Sequence, residues 1–340
     1  MKKLAYILLI TTGISCFSHY SKAQDSADYQ QMEQLANQGN PEAQYNIGVM
    51  YDQGIGVPQN GNKAVEWYEK AAKQRLYQAE FNLGVLYDEG IIVPQDYSKA
   101  IQYYTQAAQQ GDDQAMVNLG GMYRKGSGIP KDNNKAIKYF LLASKENNPK
   151  GFLNLGLMYE NGWGVPQSYA KAIEYYQKAI QMGDDEALAS LGVLYEQGLG
   201  VKKNTKTAIH YFQKAAQKNN KKALYNLGRI YREGDGVPKN YTKAIQYYQK
   251  AAQQGDASAL SDLGVMYSHG TGVAKDTKKA VEYTQKAADK NDPTAQFNLG
   301  VAYGKGEIQP INQQKSIEWI TKAADQDFVR AQLYLGIIYA

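Results

Sequence analysis

Two kinds of amphipathic segment alternate along most of the chain. In the first, AQYNIGVMYDQG and its copies place Ala43, Ile47 and Tyr51 on one face, which is the spacing of an apolar helical stripe. In the second, KAVEWYEKAA and its relatives put small and aromatic residues on one face and Lys, Gln and Glu on the other, which is typical of a half-buried helix. The alternation predicts an all-α fold built from helix pairs.

The pairs repeat every 36 residues. The dipeptide Ile47-Gly48 returns as Leu-Gly eight times without insertion or deletion, and a Tyr follows each glycine by three residues. Eight copies are complete, at residues 41–328. A repeat of this length and regularity predicts helix–turn–helix units that bury a continuous core by stacking on their neighbours.

Short signals between the helices predict where each one begins and ends. Gly54 and its counterpart in every complete copy follow the first helix, where a left-handed residue usually ends a helix. A GxGVP turn comes next, and the second helix should begin after a residue whose side chain can cap it. This N-cap column consists of Asn60, Asp96, Asp132, Ser168, Asn204, Asn240, Asp276 and Asn312.

The Leu-Gly column needs a compensating gain, because glycine inside a helix costs about 1 kcal/mol relative to alanine. We expect these glycines to allow the close approach of a neighbouring helix, with aromatic rings filling the space. Gly156→Leu should therefore cause a severe packing defect.

Residues 1–23 are predicted to be a cleaved export signal. Two lysines precede an apolar run from Leu4 to Ile14, and a small-residue motif ends at Ala23. The run is too short to span a membrane. The alternative is a lipoprotein anchored at Cys16, the only cysteine. Residues 24–40 are predicted to form an N-terminal half-repeat that caps the array.

Residues 329–340 are predicted to be the first helix of an incomplete ninth repeat. The stretch AQLYLGIIYA is apolar almost throughout, and a terminal repeat lacks the neighbour that buries its face. Exposed apolar patches mark interfaces. We therefore expect either that the array continues beyond this sequence or that this C-terminal helix docks on another molecule, by self-association with a second copy for example.

Composition narrows the classes of function. The 340 residues are 43% apolar and 21% charged, which fits a folded protein. Three of the 38 basic residues lie in the export signal, which leaves 35 against 33 acidic ones. So small a surplus argues against nucleic acid or an anionic membrane as the partner. Beyond the export signal, no apolar run approaches the length of a transmembrane segment.

The unit A-x-x-x-L-G-x-x-Y-x-x-G-x-G-V-P, followed by K-A-x-x-[WY]-[YF]-x-K-A-A, closely resembles the Sel-one-like repeat (SLR) family, a relative of tetratricopeptide repeats. The resemblance covers residues 41–340 and departs locally, with Ile92 and Ile308 in place of the second turn glycine. It implies an α/α superhelical solenoid whose first helices line a concave face and serve as a scaffold for protein partners. In bacteria such proteins are often exported. Repeats fix a shape and not a ligand.

Catalytic and metal chemistry find little support in the sequence. Beyond the export signal the histidines are His210 and His269, in different repeats and at nonequivalent positions, so no metal site is predicted. Some cysteine-rich members of the family are linked to β-lactam hydrolysis, and Ser168 with Lys171 spells S-x-x-K. Ser168 lies in the N-cap column, however, and Lys171 in a lysine column, so the match follows from the repeat. We expect no catalytic residue and no cofactor.

The aromatic residues are interpreted mainly as core. Nineteen of the 29 tyrosines fall in three columns, those of Tyr51, Trp67 and Tyr68. Trp163 differs, because it stands in a turn between helices, where it either anchors a partner or packs on the next repeat.

One polar column is the best candidate for binding. It precedes each Leu-Gly pair by one residue and consists of Asn46, Asn82, Asn118, Asn154, Asn226 and Asn298, with Ser190 and Asp262 as exceptions. By analogy with tetratricopeptide grooves, these amides would face the concavity and bind an extended peptide backbone. The alternative is that each Asn bonds to the neighbouring repeat.

These observations favour a non-catalytic bacterial scaffold, exported to the periplasm or secreted, that binds a protein or peptide through its concave face. The first alternative is a cell-envelope assembly or host-interaction factor that acts by shape. A β-lactamase-like hydrolase is the third hypothesis.

Overall fold

The structure, a computed structural model, describes residues 22–307 and 310–339, with side chains from Tyr29 to Ile338 outside the same gap. The predicted export signal lies outside the described residues except for its last two positions, and so does the lipoprotein alternative at Cys16.

Within the described ranges the regular structure is helical, without a strand, and the predicted all-α class is confirmed. Two compact units, Met1–Gly151 and Phe152–Ala340, divide the chain inside one helix. The first unit holds α1 (Lys22–Asn37), α2 (Pro41–Gln53), α3 (Gly61–Lys73), α4 (Tyr77–Glu89), α5 (Tyr97–Gln109), α6 (Asp113–Lys125) and α7 (Asn133–Lys145). The helix α8 (Pro149–Asn161) contains the boundary. The second unit continues with α9 (Tyr169–Gln181), α10 (Asp185–Gln197), α11 (Thr205–Gln217), α12 (Lys221–Glu233), α13 (Tyr241–Gln253), α14 (Ala257–His269), α15 (Thr277–Ala288), α16 (Pro293–Lys305), α17 (Gln313–Ala324) and α18 (Val329–Tyr339).

Within each unit the helices stack in chain order. The two helices of a repeat pack on each other, and each second helix packs on the first helix that follows it. This succession is that of an α/α solenoid, in which every repeat contacts its neighbours. The predicted helix–turn–helix repeats are therefore confirmed.

The capping residues predicted from the sequence are also confirmed. Gly54 and its seven counterparts end the first helices with φ between 63° and 79°, the left-handed region that glycine adopts without a Cβ penalty. All eight N-cap side chains accept a hydrogen bond from the backbone N–H three residues later. The sequence thus sets the bounds of the second helices closely.

The Leu-Gly glycines make room for the second helix, as predicted. A Cβ added to Gly48 would lie 2.5 Å from Cδ1 of the fully buried Tyr68. The side chains over the corresponding glycines are Tyr104, Phe140, Tyr176, Phe212, Tyr248, Thr284 and Ile320. The cost of a helical glycine is therefore offset by the burial of a large side chain directly on the backbone.

A second fit joins consecutive repeats at their turns. The Cβ of Tyr97, the first residue of α5, lies against Gly128 in the next turn, and Tyr169 and Tyr241 lie in the same way on later turn glycines. Where Ile92 replaces the turn glycine, the facing residue is Gly61, whose missing Cβ would clash with the Ile92 carbonyl. The two positions are therefore complementary in size.

The links between repeats contain a left-handed residue as well. Between complete repeats, glycine has this role at three links, namely Gly111, Gly183 and Gly255, and Asn at three, namely Asn147, Asn219 and Asn291. Arg75 has φ 63° at the equivalent position of the first link, where a residue with a Cβ is strained.

The helix α18 exposes apolar side chains. Leu333 is 63% and Ile337 is 78% exposed, whereas the ring of Tyr334 packs edge-on against Phe297 at 5.9 Å. The expected docking of this helix on another molecule stays a prediction. None of the helices in the described ranges is both long and apolar enough to cross a bilayer.

Candidate functional site

The Asn column and the residue three positions later share one face of each first helix. The column is half-buried throughout. The position three residues after the Asn column is Val49 in the first repeat and Val, Leu or Gly in six other repeats. In α12 it is Arg229, next to Asn226 on the same face, so the face changes from apolar to charged at this repeat.

A polar groove of 510 Å³ lies at this place in the second unit. Its walls come from α10, α12 and the turns that follow them. The lining residues are Val193, Glu196, Gln197, Lys203, Asn226, Arg229 and Asp235. Asn226 is thus the member of the predicted Asn column that lines the groove.

Two successive turns close one side of the groove. Gly198 ends α10 in the left-handed conformation, which sends the chain back towards the start of α11 and places Lys203 at the rim. Asp235 follows α12 in the corresponding turn, and its carboxylate lies 3.5 Å from Nζ of Lys203. The two side chains are 37% and 59% exposed, so this ion pair is open to solvent and weak.

The opposite side contains a buried ion pair. Arg229 donates to Glu196, whose side chain is only 7% exposed. Burial lowers the pKa of Arg229, but the hydrogen bond to Glu196 and the charges of Glu196 and Glu233 outweigh it and raise the pKa above its ordinary value. The guanidinium is therefore charged and fixed in position.

A second arginine continues the charged cluster towards the next repeat. Arg232 donates to Asp262 at 2.8 Å and to Glu233 at 3.1 Å, and its guanidinium lies 5.9 Å from the ring centroid of Tyr248. Burial lowers the pKa of Arg232, but the interactions with Asp262, Tyr248 and Glu233 together outweigh it and raise the pKa above its ordinary value. Asp262, an exception in the Asn column, thus links repeats six and seven.

In the first unit, one residue of the Asn column bonds to the preceding repeat. Asn82 donates to the hydroxyl of Tyr68 at 3.1 Å and lies 3.5 Å from that of Tyr45. Tyr68 in turn donates to Asp52 at 3.2 Å. Asn82 therefore ties its repeat to the preceding one, which is the alternative that the sequence left open.

The other predicted site residues are spread along the array. Asn46 lies 4.0 Å from the sulfur of Met32, and Asn118 and Asn298 are half-buried on their helices. Asn154 and Trp163 both interact with other groups of the protein. Trp163 is half-buried in its turn and does not line the described groove. The structure therefore singles out Asn226 as the predicted residue with charged neighbours in a groove.

The tyrosine columns form stacked pairs on which lysines lie. Tyr87 stacks on Tyr103 with ring centroids 6.1 Å apart, and Nζ of Lys99 lies 4.6 Å from the Tyr87 centroid. Similar stacks occur in five further repeats, and a lysine lies over the first tyrosine in seven of eight. These rings are occupied by their neighbours, consistent with a packing role.

The S-x-x-K match has the same structural origin. The Ser168 hydroxyl accepts a hydrogen bond from the backbone N–H of Lys171 at 3.4 Å as an N-cap. The ammonium of Lys171 lies 5.0 Å from the ring centroid of Tyr159. Both side chains therefore have the roles of their repeat columns. Among the described residues, no three His, Cys, Asp or Glu side chains are grouped to hold a metal ion.

The Asn column predicts Asn226 as a site residue, but the repeat pattern did not predict the charged residues around it. The sequence does contain a sign of these charged residues. Arg229 occupies a position that is apolar or glycine in all other complete repeats. A charge in such a column requires a partner, and Glu196 lies 33 residues earlier.

Comparisons with known proteins agree with the repeat architecture. The family model described as Sel1 repeat matches residues 41–76, 78–112, 113–148, 153–184, 185–220, 221–256, 257–292 and 293–328. No curated protein matches the chain in sequence.

Solved structures give the same result. A protective antigen of uropathogenic Escherichia coli with an SLR fold is 35% identical, with a TM-score of 0.66, over 92% of this chain and 67% of its own. A Sel1 repeat protein from Oxalobacter formigenes is 26% identical, with a TM-score of 0.63, over 96% of this chain and 98% of its own. Yeast Tom70, 15% identical with a TM-score of 0.50 over 96% of this chain and 66% of its own, shares the fold.

Proposed function

The chain belongs to the Sel1 repeat family, a scaffold-type family that typically mediates protein interactions, and we propose that it is a non-catalytic scaffold that binds a protein or peptide partner. The binding surface is the first-helix face of repeats five and six. The observation that carries the proposal is the groove beside Asn226, where the charged Arg229 replaces the apolar residue or glycine of other repeats.

The groove has the groups that an extended peptide needs. The amides of Asn226 and Gln197 can both donate and accept hydrogen bonds, as recognition of a peptide backbone requires. Charged side chains around them add selectivity more than affinity, because complementary charge excludes wrong partners. A non-catalytic role is supported by Ser168, whose hydroxyl caps a helix.

Photo-crosslinking tests the surface directly. A benzophenone amino acid at Gln197, an exposed residue of the groove, should capture the partner in native cells. The same group at Lys250, exposed on the second helix α13, is the matched control. Equal capture at both positions, or capture at Lys250 only, would show that the partner uses another face.

We further propose that the protein is exported to the periplasm or secreted. The residues preceding Gln24 have the composition of a cleaved signal, and the relative from uropathogenic Escherichia coli is described as a protective antigen. A reporter fused after residue 40 should be exported and lose residues 1–23. If Cys16→Ser alone blocks maturation and membrane retention, the lipoprotein alternative is correct.

A further inference from the structure

Arg229 and Arg232 share one exposed carboxylate at the end of α12. Glu233 accepts from Nη1 of Arg229 at 3.2 Å and from Nη2 of Arg232 at 3.1 Å, and its side chain is 44% exposed. The arginines are held independently of Glu233, because Glu196 binds one and Asp262 the other. Glu233 is therefore the exchangeable member of the cluster.

We propose that the two guanidinium groups form a binding site for a carboxylate of the partner, and that Glu233 occupies this site when the partner is absent. The inference rests on the proposed function and specifies its ligand as a protein segment rich in Asp and Glu. Each oxygen of Glu233 accepts one hydrogen bond, one from each guanidinium, so a carboxylate of the partner would be held between the two arginines by two charge-assisted hydrogen bonds.

The two arginine side chains are already held in position, which favours carboxylate binding here over binding by mobile surface arginines. An arginine on the surface loses side-chain entropy when it orders around a ligand. Here Glu196 and the ring of Tyr248 already restrict the two side chains, so most of that loss has occurred in folding. The ion pairs to Glu233 lie at the exposed end of the cluster, where such pairs are weak, so a competing carboxylate can displace Glu233.

The rest of the groove suits an acidic peptide. Lys203 is 59% exposed at the rim, where it pairs with Asp235 at 3.5 Å, so a second carboxylate of the peptide would compete with Asp235 for this ammonium group. Asn226 lines the same groove as Lys203 and Arg229 and offers an amide to the peptide backbone. An acidic segment that displaces Glu233 and Asp235 would therefore meet two arginines, a lysine and an amide.

The test measures binding of a fluorescein-labelled decamer of glutamate to the full chain by fluorescence anisotropy at low salt, with a decamer of glutamine as the control peptide. Glu233→Gln should tighten binding of the glutamate decamer by about three- to tenfold, the factor expected when two exposed ion pairs stop competing. The glutamine decamer should show no such gain.

A matched variant separates this effect from a general change in charge. Glu66 forms an exposed pair with Lys70 alone, at 2.9 Å, so Glu66→Gln changes the net charge by the same unit without freeing two arginines. It should bind the glutamate decamer as the wild type does. Equal gains in Glu233→Gln and Glu66→Gln would overturn the inference.

Removing an arginine gives the opposite result. Arg229→Gln by itself leaves buried Glu196 without its partner, so the variant used is Arg229→Gln with Glu196→Gln, which keeps the net charge. It should abolish the gain from Glu233→Gln, while circular dichroism checks that it is folded.

If that double variant unfolds, Arg232→Lys replaces it. This variant keeps the charge but loses the planar guanidinium, and it should reduce the affinity for the glutamate decamer by half or more. Wild-type binding in a folded variant contradicts the site.

The outcome is distinguishable from a failure of the proposed function. A partner captured at Gln197 that binds Glu233→Gln and wild type alike overturns the carboxylate site and leaves the scaffold role standing. A glutamate decamer that binds as expected, with no partner captured at Gln197, supports the carboxylate site and contradicts the proposed function.

Discussion

Repeats one and two and repeats five and six share one core and differ in the polar groups beside it. In the first pair of repeats, Tyr68 covers Gly48, and in the second pair Phe212 covers Gly192. Tyr68 carries a hydroxyl that connects Asp52 to Asn82 across the repeat boundary, a link that Phe212 cannot make.

The missing hydroxyl is accompanied by a new ion pair. Glu196 holds the position of Asp52 in its repeat, and it binds Arg229 of the next repeat. Both arrangements connect adjacent repeats through the same acidic position, one through a neutral donor and one through a cation. The apolar core is thus repeated almost unchanged, whereas the polar contacts vary from repeat to repeat and create the distinct surface.

The shared core is the part whose disruption should have the largest effect. Gly156→Leu places a side chain where the ring of Tyr176 already lies, and we expect a loss of about 3 kcal/mol or more in the free energy of unfolding, measured by urea titration. The matched control is Gly336→Leu, because a Cβ at Gly336 meets no described atom within 4 Å. A control as unstable as Gly156→Leu would show that packing over the glycine is not the cause.

The ion pair of repeats five and six should come next in size. Glu196→Ala leaves Arg229 without its buried partner, and we expect a loss of about 2 kcal/mol in unfolding free energy. The double variant Glu196→Ser with Arg229→Val reproduces the pair found as Ser268 and Val301. It should recover to within about 1 kcal/mol of wild type, and no recovery would mean that the contact is not the main effect.

The acidic position of repeats one and two predicts a dependence on pH. Burial raises the pKa of Asp52, only partly opposed by the hydrogen bond from Tyr68. The native state therefore binds this proton more tightly than the unfolded chain, so the wild type gains stability as pH falls through the raised pKa. Asp52→Asn, which still accepts from Tyr68, should be at least as stable near neutral pH, and its advantage should shrink on acidification. Urea midpoints from pH 7 to about pH 4 measure this, and a constant difference would contradict it.

The smallest expected effect on stability concerns the link between repeats one and two rather than a helix. Arg75 has φ 63°, where a side chain costs about 1 kcal/mol that glycine avoids, so Arg75→Gly should raise the unfolding free energy by about 0.5–1 kcal/mol. Asn147→Gly is the comparison, because Asn tolerates this conformation better than Arg. A thermal melt in which Asn147→Gly stabilises as much as Arg75→Gly would contradict the explanation.

Much of the fold was predictable because the residues that begin and end each helix lie within the same repeat as that helix. Gly54, the cap Asn60 and the close contact over Gly48 depend on neighbours within a single repeat, and the sequence predicts all three. The ion pair between Glu196 and Arg229 depends on how one first helix lies on the next. Its partners are 33 residues apart, and a hydropathy pattern does not show which charged groups meet across that interface.

The Asn column also shows that the repeat pattern does not predict which groups a side chain contacts in the neighbouring repeat. Its members occupy equivalent positions, so the sequence treats them alike. Asn82 meets a tyrosine hydroxyl and Asn226 lines a charged groove, because the neighbouring second helices and turns carry different residues. The column predicts a face of the helix, and the adjacent columns decide what that face does.

The fit of Tyr97 against Gly128 has a consequence for the order of the repeats. Tyrosine returns at this position every 72 residues, at Tyr169 and Tyr241, and each time a turn glycine of the next repeat receives it. The same kind of glycine also receives a smaller residue, since Gly236 lies against Thr205. The fit therefore restricts which repeats can follow one another: a repeat whose second helix begins with tyrosine needs a glycine in the next turn, whereas the position beside the Ile92 carbonyl needs Gly61.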